Sequence, residues 1–384
     1  MSGATALLLL AGLALLVVGG ELLVRGGSLL GRAMGLSRLV IGLTVVAACT
    51  SAPEMAVTVA ASLGGSPGLA VGNVVGSNVV NLLLILGVSA LAAPLVVRAQ
   101  IVRLDLPVLI VFTAVLLLMA LDGTVSVLEG GVLLLALVGY AAVLLRLGRR
   151  AVARAGGAGE DDEQREDPPP AARGRSVLSG TGLVLVGVVL LVVGARWLVD
   201  AAVTVATDLG VSDLVIGLTV VAVGTSLPEL VTSVVAALRG ERDIAVGNAV
   251  GSSIFNIGAA LGAAAVVSTG GIPIAPSVVR FDLPVALAVA VAVLPLAFTG
   301  FVLRRWEGAL LVAYYGVYLL YLLLDATDHD ALPAFSAVML AFVLPITALG
   351  LLTAVAHEVR RRRAAPGGAG RAPRDGGPAR DPGG

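Results

Sequence analysis

Along this chain the apolar positions fall in long blocks separated by short polar stretches. Blocks of about 20 mainly apolar residues match the hydrocarbon thickness of a bilayer when wound as a helix rising about 1.5 Å per residue. They recur at 4–31, 37–63, 69–92, 104–121, 126–147, 178–206, 212–238, 244–267, 281–299, 306–324 and 332–356, which predicts eleven membrane-spanning helices. The first apolar run has no basic residue before Arg25, so it lacks the charged start of a signal peptide and reads as the first membrane helix. Two stretches break the pattern. Residues 149–175, rich in Arg, Asp, Glu and Gly and carrying Pro168, Pro169 and Pro170, read as a disordered linker, with the acidic run Glu160 to Asp167 as a solvated part of it. Residues 364–384, mostly Gly, Pro and Arg, read as a disordered tail.

The apolar blocks are duplicated. A shift of 175 residues lays Leu39–Ala47 (LVIGLTVVA) on an identical Leu214–Ala222, CTSAPE from Cys49 on GTSLPE from Gly224, and VGNVVGSNVVN on VGNAVGSSIFN. The chain therefore divides into a first repeat at 1–148, the linker at 149–175, a second repeat at 176–325, an extra helix at 326–363 and the tail. Each repeat holds five helices, an odd number, so the second copy enters the membrane from the opposite side. The fold class is an all-α polytopic membrane protein, an inverted repeat of 5+5 transmembrane helices plus one extra C-terminal helix.

Charge changes this picture by orienting it. All 25 basic residues are arginines. With the N-terminus outside, the linker, the tail and the loops holding Arg32, Arg38, Arg98, Arg103, Arg239, Arg242, Arg304 and Arg305 are cytoplasmic, as retention of positive charge on that side requires. Only Arg280 falls outside, where the loops instead carry Asp122, Asp208, Asp213, Asp325, Asp328 and Asp330. The expected location is a cell membrane, that of a prokaryotic inner membrane, with the lipid bilayer as surroundings. A composition of 58% apolar and 13% charged residues, with a mean hydropathy of +1.02, leaves no room for a soluble catalytic domain. Zero net charge argues against a nucleic-acid partner, the single Cys49 excludes an internal disulfide framework, and nothing points to a protein partner or a cofactor.

Against this background the acidic residues at membrane depth stand out, since an ionisable group there costs at least about 2.5 kcal/mol and marks function by default. Glu54 and Glu229 lie well inside the second and seventh helices. At about 100° per residue, Thr50, Ser51 and Glu54 share one face, as do Thr225, Ser226 and Glu229. Pro53 and Pro228 cannot donate to the carbonyl four residues back, which opens the backbone beside each glutamate. The third and eighth helices add Ser77 with Asn81 and Ser252 with Asn256, each pair four apart, while Gly72, Gly76, Gly247 and Gly251 permit close helix approach. The donor set is oxygen only, without the His or Cys of a zinc or copper site, and suits hard ions such as calcium and sodium. Other polar residues read as structural. Glu21 with Arg25 and Arg196 with Asp200 are spaced for ion pairs within their helices, and Asp105 and Asp282, each before Leu-Pro, read as helix caps.

The twin TSxPE and GNxxGSxxxN motifs resemble the alpha repeats of the cation/calcium exchanger superfamily, specifically its prokaryotic sodium/calcium exchanger branch. The likeness spans about residues 1–325 and both halves. It implies ten core helices, four of them clustered at the site, with ion ligands at Thr50, Ser51, Glu54, Ser77, Asn81, Thr225, Ser226, Glu229, Ser252 and Asn256. It also implies backbone carbonyl ligands at Ala47 and Ala222, and helices one and six as the moving unit. The chain departs from the pattern at Cys49 and Ala52, where the second copy has Gly224 and Leu227, and at Asn256, an aspartate in some relatives. Gly76 stands where the proton/calcium branch carries an acid.

The sequence thus reads as a secondary antiporter, not an enzyme, exchanging calcium for sodium by alternating access. A proton/calcium antiporter using the same glutamates is the alternative, since a buried carboxylate can carry a proton. A cation channel is the third reading, against which an inverted repeat with opened helices argues.

Overall fold

A computed structural model describes residues 3–34, 36–157, 170–208, 222–327 and 329–364. Its helices are α1 (Gly3–Met34), α2 (Arg38–Thr50), α3 (Ala52–Leu63), α4 (Pro67–Ala92), α5 (Ile101–Asp122) and α6 (Val127–Gly157) in the first half. The second half has α7 (Pro170–Asp208), a helical turn Ala222–Gly224, α8 (Leu227–Leu238), α9 (Arg242–Val267), α10 (Val278–Phe298) and α11 (Arg305–Ala326). The extra C-terminal helix is α12 (Leu332–Arg361). Nine helices among the described residues are long and apolar enough to cross a membrane, or ten if the bent pair α2 and α3 counts as one span.

Several expected boundaries move. The linker expected at 149–175 is helical at both ends, because α6 continues to Gly157 and α7 begins at Pro170. Its middle, the acidic run included, lies outside the described residues, as do Leu214 to Val221 of the repeated segment, Asp328 and the tail from 365.

The core is built around α4 and α9, whose apolar windows are 78% buried against at most 39% for every other candidate span. Sequence explains why these two sit inside: they carry the GNxxGS motif and no charged residue beyond their first turn. Glycines then decide how closely their neighbours approach. Gly87 of α4 faces Gly308 of α11, and Gly130 of α6 faces Gly262 of α9; a Cβ on any of the four would lie 2.6–3.0 Å from the opposing carbonyl oxygen. Each half therefore packs its central helix against the last helix of the other half, and the halves interlock.

A second glycine series joins the two first helices. Gly12, Gly19 and Gly26 of α1 face Gly194, Gly187 and Gly180 of α7, and every added Cβ would come within 2.8–3.2 Å of the facing carbonyl oxygen. Spacing of seven residues keeps the glycines on one side of each helix, as small-residue membrane packing requires. Since residue numbers rise along α1 as they fall along α7, the two helices are antiparallel. That is direct evidence of inversion.

Loop contacts assign the remaining segments to faces. On one face, β1 (Leu95–Val96) pairs antiparallel with β4 (Val302–Leu303). There too, Arg38 Nη1 meets Glu241 Oε2 at 2.9 Å and Arg98 Nε meets Asp243 Oδ2 at 2.6 Å. On the other, β2 (Thr124–Val125) pairs with β3 (Ile272–Pro273), and the Ser62 and Ser268 hydroxyls are hydrogen-bonded. Such exposed ion pairs contribute little energy. Their value is topological: the loop before α4 lies opposite the loop before α9, as an inverted repeat demands.

Two structural expectations are revised. Asp105 and Asp282 do not cap helices, for a turn of π-helix (Ile101–Asp105, Val278–Asp282) carries each helix upstream of its aspartate. Their carboxylates accept instead from Tyr140 Oη at 2.8 Å and Tyr318 Oη at 3.2 Å, tying α5 to α6 and α10 to α11. Glu21 does pair with Arg25, but also bridges to Arg239 at the end of α8, whereas Arg196 and Asp200 form no such pair among the described residues.

The glycine series makes a testable demand. Gly187→Val puts a branched side chain against a backbone carbonyl that cannot move without parting the helices, and overpacking of this kind costs about 1–3 kcal/mol. We expect a lower Tm in detergent than for Gly182→Val, five residues earlier on the same helix, where nothing lies within 4 Å; equal melting of the two variants would refute the interdigitated contact.

Candidate functional site

Both glutamates follow breaks in the helix that the sequence dictates. Pro53 occupies the first turn of α3 and has no N–H to give the carbonyl of Cys49, so α2 ends at Thr50 and the backbone leaves helical geometry at Ser51 (φ −81°, ψ 3°). The axis bends by 45° there. Pro228 does the same for α8, with Ser226 at φ −91°, ψ 9°. Each break places a serine, then a glutamate, at the start of a new helix, facing the centre of the molecule.

The two halves hold one another's acids. Ser51 Oγ donates to Glu229 Oε1 at 3.2 Å, and Ser226 Oγ donates to Glu54 Oε1 at 3.5 Å. Ser226 Oγ also reaches Ser77 Oγ at 3.4 Å, and Thr50 Oγ1 lies 3.4 Å from Ser252 Oγ. Residues 50, 51, 54, 77, 226, 229 and 252 are thus drawn into one buried network. Asn81 and Asn256 are buried beside it, Asn256 through Nδ2 donating to Asn78 Oδ1 at 3.2 Å. Both asparagines stand in π-helical turns, Val80–Ile85 and Asn256–Leu261, where one extra residue per turn re-aims the side chain. Thr225 borders the cavity described below. The Ala47 carbonyl accepts from Ser51 N at 2.9 Å and lies 3.3 Å from Thr50 Oγ1, while Ala222 begins the helical turn that precedes the second break.

Burial here is nearly complete: Glu54 is 0% exposed and Glu229 1%. Neither has a cationic partner among the described residues. Glu54 Oε2, Glu229 Oε2, both polar atoms of the Asn81 amide and Asn256 Oδ1 are buried without a hydrogen-bond partner. Such a cluster is costly, since a buried polar atom left unpaired loses about 1–3 kcal/mol and an unpaired charge more. Four of these five atoms are oxygens. The arrangement calls for a hard cation, which would answer the carboxylates and the orphaned oxygens together. No group of three or more His, Cys, Asp or Glu occurs among the described residues, so the set combines two acids with neutral oxygens.

Polar residues that the sequence reading left out complete the site. Asn73 and Asn248, 175 apart in the motif, each donate to the backbone carbonyl of a glutamate, and Asn78 donates to Ser253 O at 3.1 Å. Their signal was present in the duplication, as amides inside apolar helices. Gly247 and Gly251 do permit close approach, with added Cβ atoms 2.8–3.1 Å from backbone of α2, while Gly72 and Gly76 meet nothing among the described residues.

Packing beside the two breaks is unequal. A cavity of about 450 Å³ separates α7 from α3, lined by Pro53, Ala56 and Val57 on one side and Ala195, Arg196 and Asp200 on the other, with Thr225 and Pro228 at its edge. At the repeat-equivalent place Gly20 of α1 packs directly on α8, a Cβ there being 3.1 Å from Val231 Cγ1.

An inverted helical repeat with opened helices and a central oxygen cage defines a polytopic membrane transporter of cations. Comparison with known proteins agrees: the profile of the sodium/calcium exchanger protein family matches residues 4–146 and 179–324, and the chain belongs to that family. It is 38% identical to inner membrane protein YrbG of Escherichia coli, over 70% of this chain and 81% of that protein. It is 35% identical to the sodium/calcium exchanger MaX1 of Methanosarcina acetivorans, over 75% and 90% respectively. Among solved structures, the sodium-calcium exchanger NCX_Mj matches with a TM-score of 0.70 at 31% identity, over 83% of this chain and 99% of that one.

Cation binding at this cluster has a direct thermodynamic signature, because a ligand bound only by the folded state stabilises it, by about 2.7 kcal/mol at a hundredfold excess over Kd. Calcium is expected to raise the Tm of the detergent-solubilised protein, Glu54→Gln and Glu229→Gln to abolish that shift, and Asn81→Ala to reduce it. A full calcium shift in either glutamine variant would place the cation elsewhere.

Proposed function

We propose that this protein is a secondary antiporter exchanging calcium for sodium across the cell membrane by alternating access, both ions competing for the oxygens around Glu54 and Glu229. The observation that carries the reading is the pair of fully buried carboxylates, each hydrogen-bonded by the serine of the opposite half and neither balanced by a basic side chain among the described residues. Two carboxylates give a formal charge of minus two when both are ionised, which one calcium or two sodium ions neutralise. Exchange follows from this: leaving the cage empty of positive charge exposes the full cost of the buried acids, so one load leaves more readily than the protein reorients without another. The sodium/calcium names of MaX1 and NCX_Mj support the same ion pair. The residues proposed as ligands are Thr50, Ser51, Glu54, Ser77, Asn81, Thr225, Ser226, Glu229, Ser252 and Asn256, with the carbonyls of Ala47 and Ala222.

Orientation enters the same proposal. The face that gathers Arg38, Arg98 and Arg239 is cytoplasmic by retention of positive charge, so the cavity between α7 and α3 belongs to the outer half of the membrane. That half of the bundle is then the looser one, while Glu54 and Glu229 themselves stay buried.

Purified protein in calcium-loaded liposomes tests the coupling: release of calcium is expected on addition of external sodium and not of an equal osmolar amount of choline. Release driven by a proton gradient without sodium would replace this reading with the proton/calcium alternative, and release needing no counter-ion gradient would make the protein a channel. Orientation has its own test. On a Cys49→Ala background, an impermeant maleimide applied to intact cells is expected to label Ala56→Cys and to spare a cysteine introduced at Gly157, and the reverse pattern would invert the topology.

A further inference from the structure

Two asparagines outside the proposed ligand set each bind a glutamate carbonyl and a neighbouring hydroxyl, one in each half. Asn73 Nδ2 of α4 donates to the Glu54 carbonyl at 3.1 Å and lies 2.9 Å from Thr58 Oγ1, which itself donates to that carbonyl at 2.7 Å. Asn248 Nδ2 of α9 donates to the Glu229 carbonyl at 3.2 Å and lies 2.9 Å from Ser233 Oγ. Asn248 and Ser233 are 0% exposed. Asparagine, hydroxyl and glutamate all keep the 175-residue offset, so the knot is part of the duplication.

Its placement has a mechanical consequence. Asn73, Ser77 and Asn81 stand one turn apart along α4, as Asn248, Ser252 and Asn256 do along α9. Each central helix therefore grips the backbone of a glutamate with its first amide and carries the next two residues into the buried polar cluster. The glutamates follow a break, where the preceding helix gives them no continuous support. The amide supplies the missing constraint by locking the first turn of α3 or α8 to the central helix.

Asn248 does more than its counterpart contact. Its Oδ1 accepts from Thr50 Oγ1 at 3.0 Å. The threonine has one hydroxyl proton and could otherwise spend it on its own helix, at Val46 O 3.1 Å away or Ala47 O at 3.3 Å. Donation to Asn248 joins the end of α2 to the start of α8 across the repeat boundary and fixes which way the Thr50 lone pairs face.

We infer that Asn73 and Asn248 are positioning residues that set the separation of the two carboxylates, and through it the preference for a divalent ion over a monovalent one. The inference rests on the antiporter reading above. A single divalent cation must touch both carboxylates at once, so it is sensitive to their spacing; a sodium ion is answered by one carboxylate with neutral oxygens and tolerates a looser pair. Removing the amide should therefore weaken calcium more than sodium.

Asn248→Leu and Asn73→Leu keep the volume and delete the donors. Measured in liposomes beside the unmodified protein, each is expected to raise the KM for calcium about tenfold, which corresponds to about 1.4 kcal/mol. The KM for sodium and the rate at saturating calcium should stay within about twofold. A purely structural asparagine would lower the amount of active protein, and so the maximal rate, with both KM values unchanged. That result, or equal shifts for calcium and sodium, would overturn the inference. Ser233→Ala and Thr58→Val remove only the hydroxyl of the knot, so if the leucine variants fail to fold these two decide, with a smaller calcium-selective rise expected and an unchanged calcium KM counting against. Should the unmodified protein itself exchange no calcium, the antiporter reading fails and this inference with it; normal exchange with unshifted variants removes the inference alone.

Discussion

Two carboxylates buried together, with no basic partner among the described residues, are the constraint around which this molecule is arranged. Burial of one such charge in a low-dielectric interior costs several kcal/mol, and two at close quarters add their repulsion. The chain does not relieve that cost with arginine, although it has 25 of them. It uses serine hydroxyls, each donated from the opposite half, and leaves the second oxygen of each carboxylate unpartnered. A structural site would satisfy those atoms. In the reading proposed above those atoms are left for a mobile cation, so that the stability of the centre depends on cargo.

Holding such a centre in place requires support that does not itself bring charge, and backbone proximity supplies it. Glycine pairs Gly87–Gly308 and Gly130–Gly262 pull each central helix onto the far half, so neither half encloses its own glutamate alone. The α1–α7 pair stands apart as a unit joined along three successive glycine contacts. Between these two bodies Gly20, Gly27 and Gly31 of α1 pack on Val231, Val46 and Ile41, Glu21 bridges to Arg239, and a cavity opens beside α7.

Much of this was legible in the chain itself, and the limits have physical reasons. Apolar blocks of bilayer length marked the long helices, and the duplicated motifs pointed to the inversion, because five helices cannot return the chain to its starting side. Both glutamates and their hydroxyls were legible because charge inside an apolar block has so few structural uses. The π-helical turns at Asn81 and Asn256 were not, since nothing in composition distinguishes a turn of five residues from one of four. The same blindness misassigned Asp105: one such turn carries the helix past it, and its partner Tyr140 lies 35 residues away, beyond any local rule. Asn73 and Asn248 were passed over for a different reason. Their donors serve a backbone carbonyl, and a backbone acceptor leaves no mark in the sequence.

Inversion of sequence does not require symmetry of structure, and here the two are visibly decoupled. Ala195 and Gly20 are equivalent by the 175-residue shift, as are Ala56 and Val231. Yet Gly20 sits against Val231, while Ala195 and Ala56 face each other across a cavity of about 450 Å³. The charges follow suit, for Glu21 is bridged to Arg239 and its counterpart Arg196 borders the open side. A chain built twice with opposite orientation can pack one copy closely while the other stays open, an asymmetry that the alternating access proposed above would reverse. The copies are not identical there, since Gly20 stands against Ala195 and Glu21 against Arg196, so the two arrangements differ in energy.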